Sequence, residues 1–478
     1  MNKLTLDEIV MAVEGQIITR GIKNEFNKVT IDSRKIEQGE IFIAVKGEIY
    51  NANDFAKVAC DKGAGVCILD EIKFDLCQFK NCSVIKVEDT NKALIDLAKY
   101  YRSTLEIKVI GITGSTGKTS TKDLIAAVLS TKYKVFKTCG NFNNEIGLPL
   151  MILSLDKTYD IAVLEMGMNH FGEIHKMAQA ARPDIAVMTN IGITHIENLG
   201  SRNNILKAKL EITDFFEEKS ILIVNGDNDL LDELHCSKCK ILKIGTDDRF
   251  DIFASNIICS EDNVTFDVTR KNGEKYDGVI LKLPGIHNVS NFLLALQCGF
   301  VYGMCFEDMV RGLDALEKTS MRLEITKASG MTIINDCYNA SPDSMKAAID
   351  VLKSIKCTRR ITVLGSMLEL GDISYKEHKK IANYALLNEV DILISIGEFS
   401  TAYEEGFIEE KQEDNDSVQK RSHVFCKFES NEKAEEYLEE ILRQGDAILI
   451  KASRGKHFET IVTSLKNRYS HEEAKPFI

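Results

Sequence analysis

At 478 residues, with 44% hydrophobic and 28% charged positions, the chain has an ordinary soluble composition and too much length for one core. At about 150 residues per domain it divides into roughly three. Its 60 basic and 72 acidic side chains leave a formal charge of −12, which argues against nucleic acid or an anionic membrane as a partner and confines any polyanion to a local pocket.

The opening MNKLTLDEIVMAVEG places acidic residues where an export signal needs an unbroken apolar region. No run approaches the about 18 apolar residues of a membrane span, so no membrane insertion is expected. Residues 1–82 alternate short apolar runs (Glu40-Ile-Phe-Ile-Ala-Val45, Val66-Cys-Ile-Leu69) with polar turns, the pattern of a small α/β N-terminal domain. Thirteen cysteines follow no framework spacing and read as reduced thiols in a cytoplasm. The one close pair, Cys236-Ser-Lys-Cys239 beside His235, lacks a second pair of ligands nearby, so it reads as a polar loop and no zinc site is expected.

From residue 83 the rhythm changes. Val109-Ile-Gly-Ile112, Ile161-Ala-Val-Leu164, Ile185-Ala-Val-Met188 and Ile221-Leu-Ile-Val224 are β-rich apolar runs separated by helical spacing at Lys118–Leu129 and Ile205–Phe216. That predicts a parallel sheet covered on both faces over residues 83–315. The rhythm returns over residues 316–478, with runs at Thr332–Ile334, Ile361–Leu364, Ile392–Ile394 and Ala447–Ile450, predicting a C-terminal Rossmann-like α/β domain. The acidic run Glu404–Asp416 reads as a solvated loop insertion.

The first central run leads into Gly111-Ile-Thr-Gly-Ser-Thr-Gly-Lys-Thr-Ser120, and a helical pattern starts at Lys118. Strand, glycine loop and helix N-terminus is the context of a phosphate cradle, making this a P-loop ATPase domain. Gly114, Ser115, Thr116, Gly117 and Ser120 would supply its wall. Lys118 would reach the β- and γ-phosphates and Thr119 would ligate Mg²⁺. Five residues, not the usual four, separate Gly111 from Gly117, with Gly114 as an extra glycine. Glu165 ends its strand at the sheet's carboxyl edge, where a carboxylate can hold Mg²⁺, and His195 follows the next strand onto the same edge. The cluster Gly140-Asn-Phe-Asn-Asn-Glu-Ile-Gly147, with Asn143 and Asn144, suits polar ligand contacts and turns equally. Asn288 fits a helix N-cap, with Asn291 in the first turn.

These motifs, in this order over nearly the whole chain, resemble the Mur ligases, ATP-dependent amide-forming enzymes of peptidoglycan precursor synthesis. Those carrying the resemblance are the GxxGxxGKT loop, Glu165-x-Gly, Asn190-Ile-Gly-x-x-His195, Ala208-Lys209-x-Glu211, Gly285-x-His-Asn-x-x-Asn291, Met321-Arg322-x-Glu324, Asp336-x-Tyr-Asn-Ala-x-Pro342 and Leu364-Gly-x-Met-x-Glu-Leu-Gly371. The N-terminal Asp32-Ser-Arg34 is similar to the family's nucleotide-sugar domain. The resemblance implies ATP and two Mg²⁺ ions, held by Thr119, Glu165 and His195, with Lys209 carbamylated. It also implies adenine contacts from Asn288 and Asn291, phosphate contact from Arg322 and ribose contact from Asp336. Substrate contacts fall to Ser33, Arg34, Asn143, Asn144 and Asn339. The third-block motifs imply addition of D-Ala-D-Ala to a UDP-MurNAc-tripeptide by a monomer in the cytoplasm. A sibling ligase adding one amino acid, folylpolyglutamate synthase and a P-loop ATPase switch protein are the alternatives. Two departures stand out: Asn53 replaces the family's histidine after Gly47, and Met321 replaces the glycine before the arginine.

Overall fold

The computed structural model describes the chain except Glu48, Lys80, Lys238, Lys318 and residues 409–422 and 470–478. Among the described residues three large sheets carry the fold. The first runs Gln16–Thr19, Ser83–Lys86, Val66–Leu69, Ile41–Ile43, Val29–Thr30, with only the first strand antiparallel. Ser83–Lys86 is an inner strand here, so the first unit runs past the boundary at residue 82 expected from sequence. Its apolar content is only Val84-Ile85, too short a run to register as a strand.

The helix Thr90–Ser103 follows, its first turn capped by the Asp89 carboxylate. It buries Leu94, Leu97, Ala98 and Tyr101 in one hydrophobic cluster that continues from Ile41, Val66 and Ile85 of the first sheet to Val109, Ala162 and Ala186 of the second. The first and second units thus share a core.

The second sheet has the strand order Val135–Lys137, Ile161–Glu165, Lys108–Thr113, Ile185–Met188, Ile221–Asn225, Lys240–Gly245, Ile252–Cys259, all parallel, as the apolar runs predict. An antiparallel pair, Val264–Arg270 and Lys275–Leu281, extends its edge. Lys108–Thr113 lies between the strands that end in Glu165 and lead to His195, which places the glycine loop at the carboxyl-edge crevice of the sheet. The helices Lys118–Leu129 and His287–Val301 pack together, burying Leu124, Ile125, Phe292 and Leu296.

The third sheet runs Glu324–Ala328, Met331–Asn335, Asp446–Lys451, Arg359–Leu364, Ile392–Ile396, Val424–Phe428, parallel after its first strand. Of the acidic run expected to form a loop, residues 404–408 finish the helix Ser400–Ile408, and residues 409–416 lie outside the described residues.

Tyr101 ties the two N-terminal units. Its buried hydroxyl donates to the Leu155 carbonyl at 2.6 Å and accepts from the Asn2 amide at 2.7 Å. Tyr101→Phe should therefore cost about 1–3 kcal/mol of stability, read as a lower thermal midpoint, because two polar groups lose their partner while packing is kept. An unchanged midpoint would show that water takes over both bonds.

Candidate active site

The loop's shape follows from two glycines. Gly114 (φ 153°) and Gly117 (φ 78°) both have positive φ; a Cβ on Gly114 would lie 1.8 Å from the Thr189 hydroxyl and one on Gly117 2.9 Å from Asn291 Oδ1. The wall is braced from the neighbouring strand end. The Thr116 amide donates to Asn190 Oδ1 at 2.8 Å, Asn190 Nδ2 returns a bond to the Thr116 hydroxyl at 2.8 Å, and the Gly192 amide donates to Ser115 Oγ at 2.9 Å. Ser120, in the first turn of the helix, lines the cavity in front of the loop.

Thr119 and Glu165 meet as their positions imply. The Thr119 hydroxyl donates to Glu165 Oε2 at 3.0 Å, and Asn143 Nδ2 donates to the other oxygen at 2.9 Å. Glu165 is buried, and its own amide donates to Thr138 Oγ1 at 3.0 Å. From the third unit, Arg322 Nη2 donates to Thr119 Oγ1 at 2.9 Å while the guanidinium covers the Tyr338 ring at 4.1 Å. Arg322 Nε is buried without a hydrogen-bond partner among the described residues. The loop hydroxyl is thus where two units join.

Two lysines converge on one carbonyl. Lys118 Nζ donates to Gly114 O at 2.8 Å and Lys209 Nζ to the same oxygen at 3.1 Å. Burial holds the Lys118 ammonium below the ordinary lysine range and Arg322 adds to this, against the pull of Glu165 and Glu369. Lys209 lies on the helix Arg202–Leu210, 1% exposed, while Lys207 two residues earlier is exposed. Burial pushes the Lys209 pKa far below the ordinary range, and the nearby Lys118 adds to this.

The other expected residues divide. Asn288 is no N-cap: Ile286 holds that position without a side-chain bond, and Asn288 Nδ2 instead donates back to the Pro284 carbonyl at 2.7 Å. A helix start two residues earlier than an Asn288 cap requires puts Asn288 inside the first turn. Asn291 is buried, donating to Asn288 Oδ1 at 3.1 Å and accepting from Thr121 Oγ1 at 3.1 Å. Asn144 makes a turn, its Oδ1 accepting from the Gly147 amide at 2.8 Å. Asp336 accepts from the Leu323 amide at 3.1 Å and pairs with buried Lys451 at 2.5 Å; Lys451 also donates to Asn339 O at 2.9 Å. His195 lines the cavity, its Nδ1 2.5 Å from Glu369 Oε2.

Lys118, Thr119, Glu165, His195, Asn288, Asn291, Arg322 and Asp336 line one cavity of about 810 Å³ between the second and third units, whereas Lys209 lies behind the loop and does not line it. Ser33 and Arg34 line neither it nor the adjoining cavity of about 770 Å³. They sit on the first unit, where the Arg34 guanidinium grips Asp32 at 2.9 and 3.0 Å and holds its carboxyl down to about 2. The thiols of Cys236 and Cys239 lie 2.7 Å apart, and among the described residues no group of three His, Cys, Asp or Glu side chains could hold a metal. The sequence reading assigned no role to Lys451 or Glu369. Lys451 carried the same signal as Glu165, a charge ending an apolar strand at the carboxyl edge; Glu369 stood in the Leu364–Gly371 motif, but nothing local pointed to its contact with His195.

A phosphate loop on a parallel sheet, closed over by an arginine from a separate α/β unit, defines a nucleotide-dependent enzyme that works between domains. The chain matches the Mur ligase middle domain over residues 112–299 and the Mur ligase glutamate ligase domain over residues 321–454. The UDP-N-acetylmuramoyl-tripeptide–D-alanyl-D-alanine ligase of Bacillus subtilis is 39% identical over 97% of this chain and 99% of its own. Its Escherichia coli namesake is 34% identical over 84% of this chain and 88% of its own. MurF from Acinetobacter baumannii has a TM-score of 0.88 at 29% identity, over 98% of this chain and 99% of that one. The MurF ligase of Thermotoga maritima in complex with ADP gives 0.81 at 27%, over 93% and 98%. The chain belongs to the Mur ligase family and is an ATP-dependent ligase.

Lys209 gives the site a measurable pH signature. Below pH 10.5 the unfolded chain protonates this lysine while the folded chain resists, so its burial lowers stability through that window and costs nothing above it. In bicarbonate-free buffer at neutral pH, Lys209→Met should raise the thermal midpoint by about 2–4 °C per kcal/mol relieved, with the gap closing as the pH rises. A lowered midpoint at neutral pH would contradict this.

Proposed function

We propose that the chain joins D-alanyl-D-alanine to a UDP-N-acetylmuramoyl-tripeptide by an amide bond, releasing ADP and phosphate. The observation that carries this reading is the Thr119 hydroxyl held between Glu165 and Arg322, which sets a phosphate loop beneath a second α/β unit. The choice of substrates rests on full-length similarity to ligases of that name, first unit included. The likeness to Mycobacterium tuberculosis folylpolyglutamate synthase, at 16% identity and a TM-score of 0.61, is one of fold.

The tripeptide carboxylate attacks the γ-phosphorus and ADP departs, giving an acyl phosphate. The dipeptide amine then adds to the acyl carbon, loses its proton, and the tetrahedral intermediate expels phosphate. Lys118, at the helix N-terminus, stabilises charge on the transferring phosphoryl group. Arg322, with one Nε–H unused, adds a second cation from the opposite wall. Asn288 and Asn291 line the adenine end, Asp336, fixed by Lys451, the ribose end, and Asn339 the peptide end.

The Thr119 hydroxyl and Glu165 carboxylate, buried and 3.0 Å apart, form an oxygen donor set suited to Mg²⁺, with His195 across the cavity. Bound there, such ions would neutralise phosphate charge and orient the γ-phosphoryl group. Lys209 suits carbamylation, which needs the neutral amine that its burial favours. Ser33 and Arg34 hold the UDP end. The enzyme acts as a cytoplasmic monomer.

Nucleotide release with each substrate omitted in turn tests the whole reading. Over many turnovers ADP should accumulate only when UDP-MurNAc-tripeptide and D-Ala-D-Ala are both present, with at most one equivalent per enzyme when the amine is omitted; AMP as product, or sustained ADP release without the amine, would sink it. Arg34→Ala should raise KM for the UDP-linked substrate and leave that for ATP in place, since binding so far from the reacting carboxylate acts on substrate and transition state alike. Equal changes in both constants would take the UDP end away from the first unit.

A further inference from the structure

His195 and Glu369 face each other across the junction of the second and third units. His195 precedes the short helix Ile196–Leu199, and Glu369 precedes the turn Gly371–Ile373. Both are non-glycine residues in the left-handed region, with φ of 63° and 64°. Such backbone persists only where surroundings enforce it, and it gathers at functional sites. The enforcement here is mutual. Nδ1 of His195 lies 2.5 Å from Glu369 Oε2, the Glu197 amide donates to the Glu369 carbonyl at 3.4 Å, and a Cβ on Gly371 would come within 3.2 Å of Glu197 Cγ.

The ring nitrogens are thereby distinguished. Nδ1 is buried against the carboxylate, at ion-pair distance but without aligned hydrogen-bond geometry, which a modest turn of the ring would supply. Nε2 is the nitrogen left for the cavity that holds Lys118 and Thr119. We infer that Glu369 is a positioning residue for His195: from the third unit it fixes the Nδ1–H tautomer and the ring's direction, leaving the Nε2 lone pair for the reacting groups. A carboxylate behind an imidazole sets which nitrogen carries the proton and raises the basicity of the other. Because the two residues belong to different units, the ring is set only while those units are docked. Closure over the nucleotide and readiness of His195 then become one event. This rests on the ligase reading above.

The test starts with wild-type protein, whose steady-state ADP release must need both substrates; failure there refutes the ligase reading, whatever Glu369 does. With that established, Glu369→Gly removes the carboxylate while suiting the left-handed backbone, so the thermal midpoint should not fall. The expected result is a kcat lower by about 10–100-fold, with KM for ATP changed less than about threefold. Glu369→Asp should restore part of the loss. In ¹⁵N-histidine protein, above the ordinary histidine titration range and with the His195 signal assigned through His195→Gln, the wild type should show the Nδ1–H tautomer. Glu369→Gly should show a mixture. A variant with wild-type kcat, or an unchanged His195 spectrum, overturns the inference.

Discussion

Two lysines, Lys209 buried and Lys118 half-buried, donate to the Gly114 carbonyl and set the terms for the rest of the site. Among the described residues neither Lys118 nor Lys209 has a carboxylate within ion-pair distance, so withdrawing them from water is a cost the fold carries. A polyanion arriving at the loop converts that cost into binding, because desolvated cations attract phosphate far more strongly than solvated ones. The site therefore has to stay dry, which the central sheet alone cannot manage. Its carboxyl edge is an open crevice, and the third unit supplies the opposite wall.

That wall is attached through polar contacts and two half-buried isoleucines, Ile193 and Ile196, whereas the first unit is attached through an extended core. Thr90–Ser103 fuses the first and second sheets in one hydrophobic cluster, which favours a fixed relation between them. The third unit has its own clusters around Ile349, Leu352 and Ile448, and its polar links reach the loop through Arg322 and His195 through Glu369. Polar contacts can be exchanged with a ligand or water at little net cost; a shared apolar core cannot. The division suits a protein that holds one substrate by a rigid arm and closes over another.

Much of this was legible in the sequence. Four apolar runs fell on the central parallel strands, and Glu165 lay at the sheet edge because a charge after Ile161–Leu164 could go nowhere else. Lys209 and Lys207 separated into buried and exposed because lysines two apart cannot share a helix face. The antiparallel edge was missed although Val264-Thr-Phe-Asp-Val-Thr-Arg270 alternates at period two, the mark of a sheet half-covered on one face. Asn288 looked like a cap because the helix start was read two residues late.

What the sequence withheld are pairings between distant segments, across units or within one. Arg322 meets Thr119 over 203 positions and Lys451 meets Asp336 over 115, and no local period encodes either. The edge rule narrows the search all the same. Glu165, Lys451 and the loop all stand at carboxyl ends of parallel strands, where side chains leave the packed sheet and helix N-termini begin. Two such edges turned toward each other bring chemistry from distant segments together without any segment specifying its partner. Each strand need only end in the right residue, and the docking of the sheets completes the site.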